Sequence, residues 1–431
     1  MPVALTDPLP LPCGAVLPNR IAKAAMTEGV GDALNRATDR HRVLYERWAK
    51  SGPGLQITGN VQIDRRSLER AGNVAIDGPQ TPEAMAALKT FATAAKSGGG
   101  HAWVQINHPG RQTPKAVNPN PPAPSAISLS LPGGNFGPPR AMTEAEILDF
   151  IGRFAHAAAV SREAGFTGVQ IHAAHGYLLS QFLSPKANIR SDAWGGSLEN
   201  RARFLMEAVR ATRKAVGADF PVSVKLNSAD FQKGGFAFED SLQVARWLTQ
   251  EKVDLLEISG GTYEQPKMAG LEGLLEPVFE SGVRESTKAR ESYFARYADE
   301  MAKAAGMPLM VTGGFRTRAG MEAALNDGST QAIGIGRPMC GAPDCVRALL
   351  DGKADELPSF EKSLVMGRGW LSLNSPFSIV RLINGFGAQG WYYQQIFRIA
   401  DGLDPDLKLG VFKAFMRYQA SEKAAAKALV R

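Results

Sequence analysis

GVQIH (residues 168–172) is a short β-branched run, and AAHGYLLSQFLSP (173–185) follows it without a break. Similar runs recur along the chain: IAKAAM (21–26), LQITGN (55–60), AWVQIN (102–107), VSVKLN (222–227), DLLEIS (254–259), PLMVTG (308–313) and AIGIG (332–336). Amphipathic stretches lie between them, such as residues 82–98, 143–165 and 197–217. Eight strands that each precede a helix predict an α/β fold of the (β/α)8 TIM barrel type.

The signals for helix ends agree with this alternation. Thr143 precedes a predicted helix that has Glu146 in its first turn, while Gly165 and Gly217 lie where helices should end. An open, doubly wound sheet is the alternative, but no Gly-x-Gly-x-x-Gly follows the first strand, as a dinucleotide-binding sheet would require. We therefore predict a barrel domain over residues 1–350.

Residues 351–431 lie beyond the eighth unit, and we predict that they form a helical extension that packs on the barrel. The segment DLKLGVFKAFMRYQASEKAAAKALVR (406–431) has a helical pattern and a basic charge. That charge leaves a second interpretation open, in which the tail helix docks on an acidic partner or on a membrane surface.

Two long connections follow predicted strands. The first, HPGRQTPKAVNPNPPAPSAISLSLPGGNFGPPRAM (108–142), has a proline and glycine content that excludes regular structure. The second begins with GGTYEQPKMAG (260–270), after the sixth strand. Both leave the carboxyl ends of strands, which form the face where barrel enzymes build their sites. Loops this long are usually functional or disordered.

The composition limits the class of protein. A net charge of +7 without a long basic run argues against a nucleic-acid partner. The three cysteines, Cys13, Cys340 and Cys345, are too few for a disulfide scaffold and favour a reducing compartment. No apolar stretch is long enough for a membrane span, and the first residues do not resemble a signal peptide. These features predict a cytoplasmic protein.

His172 and His175 lie three residues apart at the end of the fourth predicted strand. Metal ligation is one interpretation, but among the other histidines only His108 lies at a strand's carboxyl end, so we expect no metal. A pair of buried, hydrogen-bonded core histidines is a second. We favour a third, in which two imidazole N–H groups stabilise negative charge on one substrate oxygen and Tyr177 donates a proton from the same wall.

The stretch HAAHGYLLSQFLSPKANIRSDAWGGSLENRARFLMEAV (172–209) resembles the signature of the old yellow enzyme family of FMN-dependent oxidoreductases. The match includes the Arg-x-Asp-x-aromatic-Gly-Gly-Ser-x-x-Asn-Arg block from Arg190 to Arg201. It extends from PNRIAKAAMTEG to GIGRP, over about residues 10–345. The resemblance implies FMN at the strand carboxyl ends and NADH or NADPH as hydride donor. It also implies that His172 and His175 bind a substrate carbonyl and that Tyr177 is the proton donor.

The resemblance further implies contacts with the flavin ring. Ala25, Met26 and Thr27 follow the first strand in KAAMTEG, and the Thr27 hydroxyl would donate to the flavin C4 oxygen. For a lone threonine at a strand end, a helix cap is the alternative. Gly59, after the second strand, would let a flat ring approach closely because it lacks a Cβ. Gln105 would face the barrel interior and pair with the pyrimidine edge of the ring.

Glycines and an arginine at the last two strand ends predict a phosphate site. Gly313 and Gly314 follow the seventh strand, and Gly336 and Arg337 follow the eighth. Phosphate commonly binds to barrels at these two loops, and arginine holds it with two hydrogen bonds. In the fifth strand, Lys225 stands where most members of the family have an arginine. It keeps a cation near the flavin but lacks the planar guanidinium.

These residues predict an ene-reductase, which takes hydride from NAD(P)H and reduces the activated C=C bond of α,β-unsaturated carbonyl compounds. A Schiff-base lyase or aldolase that uses Lys225 is one alternative. A non-catalytic flavin-binding protein whose C-terminal helices bind a partner is another. The expected substrate is a small molecule, and the sequence is compatible with a homo-oligomer.

Overall fold

The computed structural model describes residues 2–129, 131, 134–260, 295–373 and 375–430. Eight parallel strands close into a barrel, each paired with the strands before and after it in the chain. They are β1 (Ile21–Lys23), β2 (Leu55–Gln62), β3 (His101–Asn107), β4 (Gly168–Ala173), β5 (Val222–Asn227), β6 (Leu255–Ser259), β7 (Leu309–Thr312) and β8 (Ala332–Ile335). Every strand overlaps one of the predicted runs, so the predicted fold class is confirmed.

Helices surround the barrel and continue beyond it. They are α1 (Asp39–Lys50), α2 (Pro82–Lys96), α3 (Glu144–Glu163), α4 (Leu178–Leu183), α5 (Leu198–Val216), α6 (Phe238–Gln250), α7 (Ala295–Ala304), α8 (Arg318–Asn326), α9 (Pro338–Gly341), α10 (Cys345–Leu350), α11 (Ser378–Ala400) and α12 (Val411–Ala428). Within the described ranges, no helix combines the length and apolar character that crossing a membrane requires.

The predicted helix signals have local physical causes. The Thr143 side chain accepts from the Glu146 N–H while the Glu146 carboxylate accepts from the Thr143 N–H, and this capping box starts α3. Gly217 ends α5 with φ of +79°, a left-handed conformation that costs glycine little.

At the amino-terminal rim, the strands Leu9–Pro10 and Val16–Leu17 pair antiparallel and pack against the first residues of barrel strands.

The prediction that residues 108–142 lack regular structure is wrong. A 3-10 turn spans Gly110–Gln112, and Pro122–Ala123 pairs with Arg140–Ala141. Local composition could not show this pairing, because Arg190 from a later segment supports it. Its guanidinium donates to Pro124 O at 3.0 Å and to Met142 O at 2.6 Å. The arginine that opens the signature block therefore holds this loop. The second long connection, from residue 261, lies outside the described residues.

Arg70 joins the helices after residue 351 to the barrel. Its guanidinium lies 3.9 Å from the ring centroid of Tyr393 in α11 and 5.2 Å from that of Tyr418 in α12. It also pairs with Glu422 at 2.5 Å. A Cβ added at Gly29 would lie 2.7 Å from the same guanidinium, so Arg70 covers the loop that follows β1.

Two further contacts join the same helices to the first strand–helix unit of the barrel. Arg40 in α1 pairs with Asp401 at 2.7 Å. Near the end of the chain, Val430 N donates to Ala33 O at 3.0 Å, which brings the tail back to the loop after β1. The helices of residues 351–431 thus contact the barrel at its first strand–helix unit.

Replacing Arg70 with Met should lower the free energy of unfolding by about 2–3 kcal/mol. The rings of Tyr393 and Tyr418 lose the cation that stacks on them, and Glu422 loses its ion-pair partner. Urea denaturation measures the loss. Glu422→Gln is the matched control, which keeps the guanidinium on the rings and should cost about 1 kcal/mol or less. Equal losses in the two variants would show that stacking on the tyrosines contributes nothing.

Candidate active site

The turn after β4 positions the predicted catalytic side chains. His172 lies in β4, and the chain then reverses through His175 and Gly176, which have φ of +62° and +75°. A left-handed conformation costs a histidine about 1 kcal/mol or more, so its surroundings must hold it. Two hydrogen bonds hold it: His175 N donates to Asn227 Oδ1 at 3.0 Å, and Gln112 Nε2 donates to His175 O at 3.1 Å.

The turn brings the three predicted catalytic rings into contact. The centroids of His172 and His175 are 4.9 Å apart at an interplanar angle of 79°. The Tyr177 ring meets His172 edge-on, with centroids 4.9 Å apart at 90°. All three side chains are at most 7% exposed. The residues that the sequence singled out therefore form one cluster.

Both imidazoles of the cluster are neutral. Burial lowers the pKa of His172 and of His175 well below the usual 6.5, and the nearby Lys225 cation lowers both further. His172 Nδ1 accepts from Ala174 N at 3.2 Å, which leaves the hydrogen of the neutral ring on Nε2. His172 is thus a neutral N–H donor, the form suited to stabilise negative charge on an oxygen.

Ser259, the last residue of β6, contacts the second histidine. Its Oγ lies 2.7 Å from His175 Nε2. When the serine donates this hydrogen bond, the ring hydrogen of His175 is on Nδ1, which can then face a ligand. Within the described ranges, no group of three or more His, Cys, Asp or Glu side chains is arranged to hold a metal ion.

A chain of polar side chains crosses the barrel interior beside and below His172. Lys225 in β5 forms an ion pair with Glu257 in β6 at 2.8 Å, and both side chains are almost fully buried. Gln170 Nε2 donates to Glu257 Oε2 at 2.8 Å, and Gln105 Nε2 donates to Gln170 Oε1 at 2.7 Å. Strand pairing places Lys225 level with His172, whereas Gln170 lies two residues earlier in β4, so the chain runs from beside the histidine to below it. Gln105 faces the interior, as predicted.

The predicted flavin residues after β1 meet those of neighbouring strands. Thr27 Oγ1 accepts from Asn60 Nδ2 at 3.3 Å. Met26 Sδ lies 3.5 Å from the position of a Cβ added at Gly336, and Ala25 is the adjacent residue. The helix-cap interpretation of Thr27 is wrong, because the first described helix begins only at Asp39.

Gly59 lies inside β2 rather than after it, so its predicted place at the strand end is wrong. An added Cβ would lie 2.1 Å from Glu28 Oε2 and 2.5 Å from Met26 O. The glycine is required because the loop after β1 packs against its backbone. Glu28 therefore occupies the side of Gly59 on which we expected a flavin ring.

The predicted phosphate residues lie at adjacent strand ends. Gly313 and Gly314 follow β7 with φ of +104° and +90°, and among the described residues no atom lies within 4 Å of a Cβ added at Gly313. Strand pairing of β7 with β8 brings Gly336 and Arg337 alongside. The pKa of Glu361 is lowered against the opposing effect of its burial, because a backbone hydrogen bond and the Arg316 and Arg337 cations stabilise its carboxylate, and Arg316 pairs with it at 2.6 Å. The arrangement is an open glycine turn next to two guanidinium groups.

These features fit FMN. The space that the described residues leave over Gly313 and the Arg337 cation suit a phosphate, which binds where backbone N–H groups and guanidinium groups converge. Asn60 Oδ1 is buried and has no hydrogen-bond partner among the described residues. A buried carbonyl of this kind calls for a donor from a bound group, and it lies beside Thr27.

Residues 7–356 match the family model of the NADH:flavin oxidoreductase / NADH oxidase family. The chain belongs to this family. The old yellow enzyme resemblance of the sequence is thereby confirmed, and so is the cofactor: members of the NADH:flavin oxidoreductase family use FMN with a nicotinamide hydride donor. The chain is therefore an NAD(P)H-dependent flavin oxidoreductase.

Individual relatives agree with the family match. The chain is 39% identical over 354 residues to an NADH-dependent flavin oxidoreductase, iliE, of Hypocrea jecorina (strain QM6a), with 78% of this chain and 86% of that protein covered. It superposes on an old yellow enzyme homologue from Zymomonas mobilis with a TM-score of 0.67 at 25% identity, covering 83% of this chain and 95% of the other. Morphinone reductase gives a TM-score of 0.66 at 25% identity, with 83% and 92% covered.

Sequence reasoning missed four polar residues of the site: Asn60, Asn227, Glu257 and Ser259. Asn227 and Ser259 are the last residues of β5 and β6, and both touch His175. Their position as the final polar residues of predicted strands was the signal that could have identified them. Glu257 could be found only from strand pairing, which places it beside Lys225.

The free energy of unfolding should fall as the pH drops from about 6.5 towards 4. Burial lowers the pKa of His41 and of His108 to about 4, whereas an unfolded chain takes up these protons near pH 6.5. In this window the unfolded state binds more protons, so acid favours it. Each such histidine contributes a slope of about 1 kcal/mol per pH unit near pH 5.5.

Urea unfolding of the wild type and of His108→Gln between about pH 7 and pH 5.5 measures this slope. The two proteins share every other titrating group, so the difference in slope isolates one ring. We expect the slope of the unfolding free energy against pH to be smaller in the variant by about 1 kcal/mol per pH unit. Identical slopes would contradict a neutral, buried His108.

Proposed function

We propose that this flavin oxidoreductase reduces the activated C=C bond of α,β-unsaturated carbonyl compounds. The observation that carries the proposal is the buried cluster of His172, His175 and Tyr177, with neutral imidazoles and an edge-on phenol. Neutral N–H donors suit an oxygen that gains negative charge during the reaction. The phenol of Tyr177, which meets His172 edge-on, is the source of one proton.

The chain's own residues have separate roles in this reaction. His172 Nε2 and His175 Nδ1 bind the carbonyl oxygen of the substrate and stabilise the charge that develops on it. Each such donor is worth about 3–4 kcal/mol of barrier. Tyr177 donates its hydroxyl proton to the α-carbon. FMN, when bound, would accept hydride from NADH or NADPH and pass it to the substrate.

Other residues would hold the cofactor. Arg337 and the turn at Gly313 and Gly314 would bind the phosphate, while Thr27 and Asn60 would contact the ring. Lys225 would supply a buried cation level with His172, and its pairing with Glu257 fixes where that charge lies. Because an ammonium is a point charge, it can stabilise an anionic reduced ring but cannot make a planar two-bond contact.

The Schiff-base alternative is weakened by the same ion pair. A lysine that attacks a carbonyl needs a free amine with access to the substrate. Lys225 Nζ instead lies 2.8 Å from the Glu257 carboxylate, and its side chain is 4% exposed. Borohydride reduction in the presence of a carbonyl substrate should therefore leave Lys225 unlabelled, as peptide mass spectrometry would show.

Replacing Tyr177 with Phe tests the proposal. The change removes one hydroxyl and keeps the ring that packs on His172, so the fold should be unaffected. We expect reduction of a test enone such as 2-cyclohexenone by the reduced enzyme to slow by about 10²–10⁴-fold, the usual contribution of a positioned proton donor. Reduction of the flavin by NAD(P)H should be unchanged, because that step needs no proton from Tyr177.

Stopped-flow absorbance separates the two half-reactions. Equal slowing of both would contradict the assigned role, since it would indicate a general disturbance of the site. A yellow protein that oxidises NAD(P)H with neither enones nor oxygen would instead support the non-catalytic flavin-binding alternative.

A further inference from the structure

A β-bulge interrupts β2 beside the site. The pairing of β2 with β3 shifts register between Ile57 and Asn60, so backbone groups in this stretch lose their regular partners. A side chain replaces one of them, because Gln105 N donates to Thr58 Oγ1 at 3.0 Å. The bulge is held by specific contacts, and it carries Asn60 into the wall next to Thr27.

Two buried residues of opposite charge bind other backbone groups of the bulge. Lys23 Nζ donates to Ile57 O at 2.7 Å, and Gly59 N donates to Glu28 Oε1 at 2.8 Å. The side chain of Lys23 is 0% exposed and that of Glu28 is 5% exposed. Burying charge is costly, so such groups persist only where hydrogen bonds and an opposite charge compensate.

Tyr45 in α1 connects the two charges. Lys23 Nζ donates to Tyr45 Oη at 3.1 Å, and Tyr45 Oη in turn donates to Glu28 Oε1. Lys23 Nζ also lies 4.6 Å from the ring centroid of Trp48 and 4.8 Å from that of Tyr45. Burial raises the pKa of Tyr45 well above 10, and Glu28 raises it further, so the bridging hydroxyl stays protonated.

The ends of this bridge adjoin the proposed ring contacts. Glu28 follows Thr27, and Gly59 precedes Asn60. The hydrogen bond from Asn60 Nδ2 to Thr27 Oγ1 joins the two segments at 3.3 Å. A shift of either segment would therefore move both polar side chains.

We propose that Lys23, Tyr45 and Glu28 are positioning residues for the flavin, which fix the bulge and the loop after β1 so that Thr27 and Asn60 meet the ring. The proposal rests on the flavin lying beside Thr27 and is independent of which substrate accepts the hydride. A buried ion pair without this role would stabilise the fold and leave the binding and the absorption of the flavin unchanged.

Tyr45→Phe is the mildest test, since it removes only the bridging hydroxyl, and Glu28→Gln removes the negative charge. We expect each variant to bind FMN about tenfold or more weakly than the wild type, within the range of coupling between contacting groups. Titration of the apoprotein with FMN, followed by quenching of FMN fluorescence, gives the dissociation constants. The absorption bands of the bound flavin should also shift, because the contacts to the ring change.

Asp254→Asn is the matched control. Asp254 is also buried and pairs with Arg213 at 2.5 Å, but it precedes β6 at the opposite rim. This variant should lose stability in urea while its FMN affinity stays within about twofold of the wild type. If Tyr45→Phe and Glu28→Gln likewise lose stability with FMN affinity and absorption bands unchanged, the bridge is only structural and the proposal fails.

A double variant tests the link between the two charges. Lys23→Met alone leaves the Glu28 carboxylate without its cation, whereas Lys23→Met combined with Glu28→Gln removes both charges. We expect the double variant to bind FMN more tightly than the product of the two single effects predicts. Strictly multiplicative effects would show that Lys23 and Glu28 act separately and would overturn the bridge.

Discussion

Closure of eight parallel strands is the constraint on which the site depends. Because all strands of this barrel run in one direction, the last residues of every strand lie at the same rim. His175, which follows β4, meets Asn227 and Ser259 in this way, because they are the last residues of β5 and β6. The long connection after β3 adds one contact, because Gln112 Nε2 donates to His175 O at 3.1 Å.

The barrel interior is unusual in the groups it buries. Branched aliphatic side chains dominate most barrels of this type, whereas here Lys225, Glu257, Gln170 and Gln105 form one connected chain across the interior. Each member would be costly to bury alone, so removing one would leave its neighbours unsatisfied. This mutual dependence holds the layer under the histidines in one arrangement, which a purely apolar layer would not guarantee.

The barrel could be predicted from the sequence because its strands are short, mainly apolar and β-branched runs that alternate with helical patterns, visible without any knowledge of their partners. The histidine pair and Tyr177 were identified from their place after such a run and from the family signature. The bulge in β2 was not predictable, since it depends on Lys23 and Glu28, which belong to a different strand and loop. Strands of two residues within 108–142 were missed for a similar reason, because Arg190 holds them from outside.

The return of the tail to the first strand–helix unit bears on how the protein is handled. Val430 is hydrogen-bonded to Ala33, six residues beyond Thr27, whereas Val3 is bonded to Asn326 at the end of α8, on the opposite rim. An affinity tag attached after the last residue would emerge beside the loop that borders the ring site. A tag attached at the amino terminus would emerge at the far side of the molecule, where it would leave that loop undisturbed.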